Sequence, residues 1–322
     1  MTSDKGQWDQ TFSEHSYGFR PGRSAHQAVA RAQDLIREGR GFVVDLDLEK
    51  FFDRVNHDRL MARVAQRVED KRVLKLIRAF LNAGVMEGGL VSPTVEGTPQ
   101  GGPLSPLLSN LVLDELDREL ERRGLQFVRY ADDCNIYVGS KRAAKRVMAG
   151  VTAFITQKLK LKVNESKSAV ARPGSRSFLG FRINAGKKPK RHVAPKAQAR
   201  LKWKVREITG RSRGIGVIRM VDELATYLRG WRGYFGICET PTMLNKLDSW
   251  IRRRLRSVVW KLWKTGRRRY AGLVQRGVSE KAAILMARAP HGPWHLSRTQ
   301  AMNQAFPDAY WAALGLPKLE PK

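Results

Sequence analysis

The chain has 322 residues, 42% of them hydrophobic, enough for two or three domains with real cores and against wholesale disorder. Its net charge of +30 is unevenly placed: residues 1–140 hold 19 Lys and Arg against 21 Asp and Glu, and residues 141–322 hold 41 against 9. Solubility alone rarely needs so large a single-sign field, so an acid-balanced chemical part joined to a polyanion-binding surface is expected. The two cysteines, Cys134 and Cys238, leave no disulfide framework and no zinc site of paired cysteines, and they fit a reducing, cytoplasmic setting. The segment from Met1 to Gln7 lacks an apolar signal core, and no apolar run is long enough to span a membrane.

Residues 13–23, Ser-Glu-His-Ser-Tyr-Gly-Phe-Arg-Pro-Gly-Arg, form a Gly/Pro loop that could contact phosphate or simply turn the chain. Ser24 then caps a helix with apolar positions Ala25, Ala28, Val29, Ala32, Leu35 and Ile36, and Gly39 ends it. Residues 42–48 read as a strand, apolar except for Asp45 and Asp47, which alternate onto one face. Acids on a buried strand are costly unless paired or metal-bound, which favours a ligand role for at least one of them. Asn56-His57-Asp58 opens an amphipathic helix with the stripe Leu60, Val64, Val68, Leu74, Ile77 and Leu81, broken near Asp70. Residues 84–103 are rich in Gly and Pro and contain Gln100; Pro103 starts the next helix and Gly124 ends it.

Leu125 to Arg129 and Cys134 to Val138 then read as two strands around Tyr130-Ala131-Asp132-Asp133, a hairpin with paired carboxylates at its tip. Asp is a good turn residue in its own right, but such a pair also offers the hard oxygens that divalent ions prefer. Val147, Val151, Phe154, Ile155 and Leu159 mark a further helix, followed by short strands near Ala169 and over Phe178–Ile183. Lys187-Lys188-Pro189-Lys190-Arg191 is a basic linker and a domain boundary. Helices are expected near 196–209, 217–235, 243–264 and 279–288, interleaving tryptophans, mostly core, with Arg252-Arg253-Arg254 and Arg267-Arg268-Arg269. Planar guanidinium forks suit phosphate, so both arginine runs are candidate RNA or DNA contacts, and the basic linker residues Lys187, Lys188, Lys190 and Arg191 are candidate RNA contacts beside them.

A strand with an acid, a Gly-rich loop, a helix and an Asp-Asp hairpin together resemble a polymerase palm. Five blocks carry a more specific likeness: Ser-Tyr-Gly-Phe-Arg-Pro-Gly-Arg-Ser, Asp-Leu-Glu-Lys-Phe-Phe-Asp, Thr-Pro-Gln-Gly-Gly-Pro-Leu-Ser-Pro, Tyr-Ala-Asp-Asp and Phe-Leu-Gly-Phe. In this order they resemble the group II intron-encoded reverse transcriptases. Leu228-Arg-Gly-Trp-Arg-Gly-Tyr-Phe and Trp250-Ile-Arg-Arg-Arg-Leu resemble the same proteins' maturase-specific domain.

The resemblance implies an α+β right-hand polymerase palm, an antiparallel sheet with packed helices, followed by an α-helical thumb and maturase domain. Its boundaries fall at 1–190 for palm and partial fingers, 191–240 for the thumb-like region and 241–322 for the RNA-binding maturase region. It implies RNA-directed DNA polymerisation with two Mg²⁺ ions held by Asp47, Asp132 and Asp133. Asp45 stays ambiguous, Phe52 takes the place of the residue that senses the sugar 2′ position, and Gln100 lies beside the nascent base pair. Arg20 contributes to nucleotide binding, and Phe178 to Phe181 match the primer-gripping strand. The implied partners are group II intron RNA, an RNA template, a DNA primer and deoxynucleoside triphosphates, with no zinc and no membrane. Family members usually carry a longer fingers segment before the Ser-Tyr-Gly-Phe-Arg block, so the chain reads as N-terminally truncated. The alternative expectation is a polymerase-inactive, RNA-binding maturase remnant.

Overall fold

The structure, a computed structural model, describes residues 8–49, 51, 54–82, 85–87, 90–92 and 104–320. The chain divides into two compact units, Met1–Pro189 and Lys190–Lys322. In the first, Ser24 opens helix α1 (Ala25–Arg37): its hydroxyl accepts from the Gln27 backbone and the Gln27 side chain accepts from the Ser24 backbone, a complete capping box. Gly39, at φ +94°, follows the helix end. Strand β1 (Phe42–Leu46) comes next, and Asn56 caps α2 (His57–Ala65). After a break, α3 (Lys71–Asn82) leads to the ladder of β2 (Val85–Glu87) and β3 (Leu90–Ser92). Helix α4 (Ser105–Arg122) precedes β4 (Gln126–Tyr130) and β5 (Asp133–Val138). Helix α5 (Lys141–Phe154) ends in a π-helical turn, Ile155–Leu159, before β6 (Ala169–Ala171) and β7 (Phe181–Ile183).

The main sheet has the order β4-β5-β1-β6 and is antiparallel throughout. Val44 and Leu46 of β1, Phe127 and Ile136 lie in one core with Leu60 and Val64 of α2, Leu108 and Leu116 of α4, and Val151 of α5. Truncating one of these fully buried leucines to Ala costs about 2–5 kcal/mol. Because side chains alternate along a strand, facing Val44 and Leu46 into this core leaves Asp45 on the other face, and Asp47 with it. The same helices that build the core thus deliver the acids to the opposite side of the sheet.

The expected strand over Phe178–Ile183 is interrupted. Leu179 and Gly180 take φ +49° and +80°, and Phe178 and Phe181 bond each other's backbone at 2.8 and 2.9 Å. Two successive left-handed residues reverse the chain, so Phe178-Leu179-Gly180-Phe181 is a tight turn and only Phe181–Ile183 is extended.

The second unit opens with β8 (Arg191–Val193) and is otherwise helical: α6 (Pro195–Ile208), α7 (Val217–Phe235), α8 (Pro241–Leu262), α9 (Gly266–Val274) and α10 (Glu280–Arg288). Three short helices follow, α11 (Pro293–Leu296), α12 (Gln300–Ala305) and α13 (Asp308–Ala313). Helix α9 was not expected, because two glycines in nine residues weaken the local signal. Packing explains Gly272: a Cβ there would lie 2.5 Å from the Trp263 ring. Among the described residues, no helix is long and apolar enough to cross a membrane.

Candidate active site

The turn Ala131-Asp132 joins β4 to β5, whose closing pair is Tyr130 and Asp133. Asp132 therefore sits in the turn, and Asp133 is the first residue of β5. Strand β1 lies beside β5 with Asp45 opposite Asn135 and Leu46 opposite Cys134. One further step of that register brings Asp47 level with Asp133. Asp47 has left the ladder by then and is tied down on its other side. Its backbone N–H donates to Ser168 Oγ at 3.0 Å, and the Asn164 N–H donates to its carbonyl at 2.8 Å. Acids 85 and more residues apart in the sequence thus meet at one end of the sheet.

The electrostatics of this end are those of crowded negative charge. Burial pushes the Asp133 carboxyl up to about 8, and the charges of Asp45, Asp132 and Asp47 push the same way, with Arg176 opposing. Burial also raises Asp45, against the pull of Arg176, whose Nε donates to its Oδ2 at 2.6 Å. Asp45 is thus paired within the protein, which separates it from Asp47, whose nearest cation is Lys167 Nζ at 3.7 Å. Among the described residues, no group of three His, Cys, Asp or Glu side chains converges tightly enough to hold a metal ion. The donor chemistry nonetheless fits a hard divalent cation: Asp47, Asp132 and Asp133 offer only carboxylate oxygens, and the elevated Asp133 marks charge that a cation would neutralise.

Sequence reasoning missed what stands behind the turn. Arg129 and Asp117 are both wholly inaccessible to solvent and form a bidentate pair, Nε to Oδ1 at 2.7 Å and Nη2 to Oδ2 at 2.5 Å. Burial raises the Asp117 carboxyl, with Arg129 pulling it back; Asp117 in turn holds Arg129 above its ordinary value despite burial. The signal was present: Asp117 lies in the apolar stripe of α4 with Leu113, Leu116 and Leu120, and Arg129 interrupts an apolar strand.

Arg20 is not poised for phosphate. Its Nε donates to Asp9 Oδ1 at 2.7 Å and its Nη atoms to the carbonyls of Asp9, Ser13 and Ser16. It shapes the wall of a 420 Å³ cavity that Phe19, Arg23, Asn110 and Tyr130 also line. Phe52 and Gln100 lie outside the described residues.

The candidate RNA contacts divide. Lys187, Lys188, Lys190, Arg267 and Arg268 are exposed. Arg191 donates to Glu239 at 3.2 Å. Arg252 is a correction: its side chain is 3% exposed and ion-paired with Asp248 and Asp308, because its position on α8 faces the core. Arg253 lies on the Trp294 ring at 3.9 Å, and Arg254 donates to Thr209 Oγ1 at 2.8 Å, so both are committed to packing. Arg269 is half-buried over Trp260 at 5.0 Å.

Residues 2–183 match the family described as reverse transcriptase (RNA-dependent DNA polymerase), and residues 198–276 match the group II intron maturase-specific domain. Protein YkfC of Escherichia coli is 32% identical over 215 residues, covering 55% of this chain and 56% of its own. The group II intron-encoded protein LtrA of Lactococcus lactis is 28% identical over 241 residues, covering 55% of this chain and 40% of its own. The chain thus spans about half the length of these curated relatives. Among solved structures, the apo telomerase of Candida tropicalis aligns over 98% of this chain and 54% of its own, with a TM-score of 0.49 and 11% identity.

Proposed function

The chain belongs to the reverse transcriptase (RNA-dependent DNA polymerase) family, and we propose that it is a group II intron-type reverse transcriptase and maturase. It extends a DNA primer on an RNA template with deoxynucleoside triphosphates and assists the folding and splicing of an intron RNA. The observation that carries the polymerase reading is the register of β1 on β5, whose last pair, Leu46 with Cys134, is one residue short of Asp47 and Asp133. In this reading residues 1–190 are the palm with partial fingers, 191–240 a thumb-like region and 241–322 the maturase-type RNA-binding region.

Asp47, Asp132 and Asp133 would hold two Mg²⁺ ions, which when bound favour deprotonation of the primer 3′-hydroxyl and offset charge on the leaving pyrophosphate. The chain's own residues do the rest. Arg176 withdraws Asp45 from the metal-binding set by pairing with it at 2.6 Å. The cavity beside Tyr130 would take the incoming nucleotide, with Arg20 acting through the cavity wall. Phe52 and Gln100, outside the described residues, stay candidates for nucleotide binding on the resemblance alone. Exposed Lys187, Lys188, Lys190, Arg267 and Arg268 supply phosphate contacts for RNA.

Primer extension on an RNA template tests this reading. Asp47→Asn and Asp133→Asn keep the shape of the side chain but remove a charged ligand. Extension should fall at least about a hundredfold in each, with RNA affinity retained. Extension by Asp133→Asn at the parent's rate rejects the polymerase reading.

A further inference from the structure

We infer that Arg129 is a positioning residue for the metal-binding acids, acting as a five-point clamp that holds the Ala131-Asp132 turn in its left-handed conformation against the Ser16–Phe19 loop. The inference rests on the proposed polymerase reading for its chemistry but stands on its own geometry.

Ala131 takes φ +56°, a conformation that a residue with a Cβ rarely adopts without outside support. The support comes from Arg129, two residues back in the chain. A guanidinium has five N–H donors, and Arg129 has five acceptors. Nε and one Nη2 proton go to Asp117 at 2.7 and 2.5 Å, and the second Nη2 proton to Ser16 Oγ at 2.8 Å. The Nη1 protons go to Asn110 Oδ1 at 3.1 Å and to the Ala131 carbonyl at 2.8 Å. Asp117 on α4 is the anchor, and the Ala131 carbonyl, directly before Asp132, is the held end.

The loop is fastened to the same point. Asn110, which accepts from Arg129, donates through Nδ2 to the Gly18 carbonyl at 2.9 Å. The Arg129 backbone accepts from Tyr17 at 2.8 Å and donates to His15 at 2.9 Å, so the loop runs along the edge of β4. A Cβ on Gly18 would lie 2.2 Å from the Ala131 nitrogen, so only glycine lets the loop back press on the turn. The Ser-Tyr-Gly-Phe block therefore reaches the acids through one buried arginine. Arg129 itself cannot touch nucleic acid, since its side chain is fully buried. A loosened turn would misplace Asp132 and Asp133 together, and would reach the cavity only through Asn110 and Tyr130 in its wall.

Lysine supplies three donors from a point charge and cannot serve Asp117, Ser16, Asn110 and Ala131 at once, so Arg129→Lys is the informative substitution. Asn110→Ser leaves the ion pair intact and removes both one Arg129 acceptor and the link to Gly18, which provides a milder variant. The measurements are cooperative thermal melting, Mn²⁺ titration followed by electron paramagnetic resonance, and steady-state primer extension. In variants folded at the assay temperature, Mn²⁺ affinity should fall about tenfold, the range seen when groups supporting metal ligands are removed. In Arg129→Lys extension should lose kcat by at least about tenfold, more than any rise in KM for the nucleotide. Asn110→Ser should lower Mn²⁺ affinity and kcat in the same direction by less, with a change in nucleotide KM allowed because Asn110 lines the cavity. A folded Arg129→Lys chain with the parent's Mn²⁺ affinity and kcat overturns the clamp. If the parent binds Mn²⁺ at a site lost in Asp133→Asn yet extends no primer, the polymerase reading fails, and the Mn²⁺ comparison still decides the clamp.

Discussion

The two units bury arginine in different ways. In residues 1–189 guanidinium groups meet carboxylates, the buried Arg129 with Asp117, half-buried Arg67 and exposed Arg118 with Asp114, half-buried Arg63 with Glu115, and Arg20 and Arg67 lie on the Phe12 ring as well. In residues 190–322, with 28 Lys and Arg against 8 Asp and Glu, there are too few acids to go round. There, beside the buried pairing of Arg252 with Asp248 and Asp308, further arginines lie on rings: Arg206 and Arg254 flank Trp250 at 5.5 and 5.6 Å, Arg269 covers Trp260, and Arg276 contacts both Trp263 and Phe306. Arg256 is buried by donating to the carbonyls of Ser297 and Phe306. The contrast teaches that a strongly basic unit can still have a well-packed interior, because aromatic faces and backbone carbonyls solvate a guanidinium without cancelling the net charge. On the proposed reading the first unit keeps its carboxylates for pairing and for chemistry, and the second keeps its positive field for a polyanion.

The largest break in this comparison is expected at the acids. Asp47→Asn should abolish most extension, at least about a hundredfold in kcat/KM, while a filter-binding assay on structured RNA stays within about twofold of the parent. Loss of both properties together would show that the two units do not divide the work in this way.

Stability should separate the two kinds of buried arginine. Asp117→Ala leaves Arg129 buried without its counter-charge and should cost about 3–5 kcal/mol in urea unfolding. Trp250→Leu strips a ring from Arg206 and Arg254, half-exposed contacts worth about 1–2 kcal/mol beyond the lost apolar area. A larger loss for Trp250→Leu than for Asp117→Ala would reverse the argument.

Metal should act on the first unit alone. Millimolar Mg²⁺ should raise the thermal midpoint of the parent and not that of Asp133→Asn, since a ligand that binds only the folded state stabilises it by mass action. Protons compete for Asp133, whose carboxyl titrates near about 8 without metal, so the Mg²⁺ shift should grow as pH rises through that range. The sign for the metal-free protein is opposite: a raised carboxyl binds more protons folded than unfolded, so stability from this group declines from about pH 4 to about pH 8. A pH-independent Mg²⁺ shift would remove Asp133 from the ligand set.

The smallest effect is expected on the basic surface. Replacing exposed Arg267 and Arg268 together with Ala should reduce the slope of log affinity for RNA against log salt by about 2, whereas Arg252→Met should leave it unchanged. An equal change in both would mean that Arg252 reaches RNA despite its ion pairs.

How much of this was legible beforehand can be judged residue by residue. Helix α1 was readable to its cap and its terminal glycine, because Ser24, the 3.6-residue stripe and Gly39 are local signals. The break between α2 and α3 was readable for the same reason. The Tyr-Ala-Asp-Asp hairpin was readable as a turn between strands, but the left-handed Ala131 was not, since Ala carries no preference for that conformation. The Phe178–Ile183 segment misled because apolar composition suggests extension, while the reversal depends on Leu179 accepting a positive φ beside Gly180. The arginine runs misled for another reason: exposure is a property of the helix face, and within Arg252-Arg253-Arg254 the rotation of α8 sends one side chain into the core.

The amino-acid order by itself determined most of the local elements, the charge division between the two parts and the candidate acids, because each is carried by residue type or short-range period. Only the tertiary structure decided which acid is paired with an arginine and which is not. Asp45 and Asp47 share a strand face and look alike in sequence, yet Arg176, 131 residues from Asp45, pairs with one of them. Arg129 likewise acquires its role only when α4, the Ser16–Phe19 loop and the hairpin meet around it. Such partnerships depend on which distant segments come within about 3 Å, and no local pattern encodes that distance.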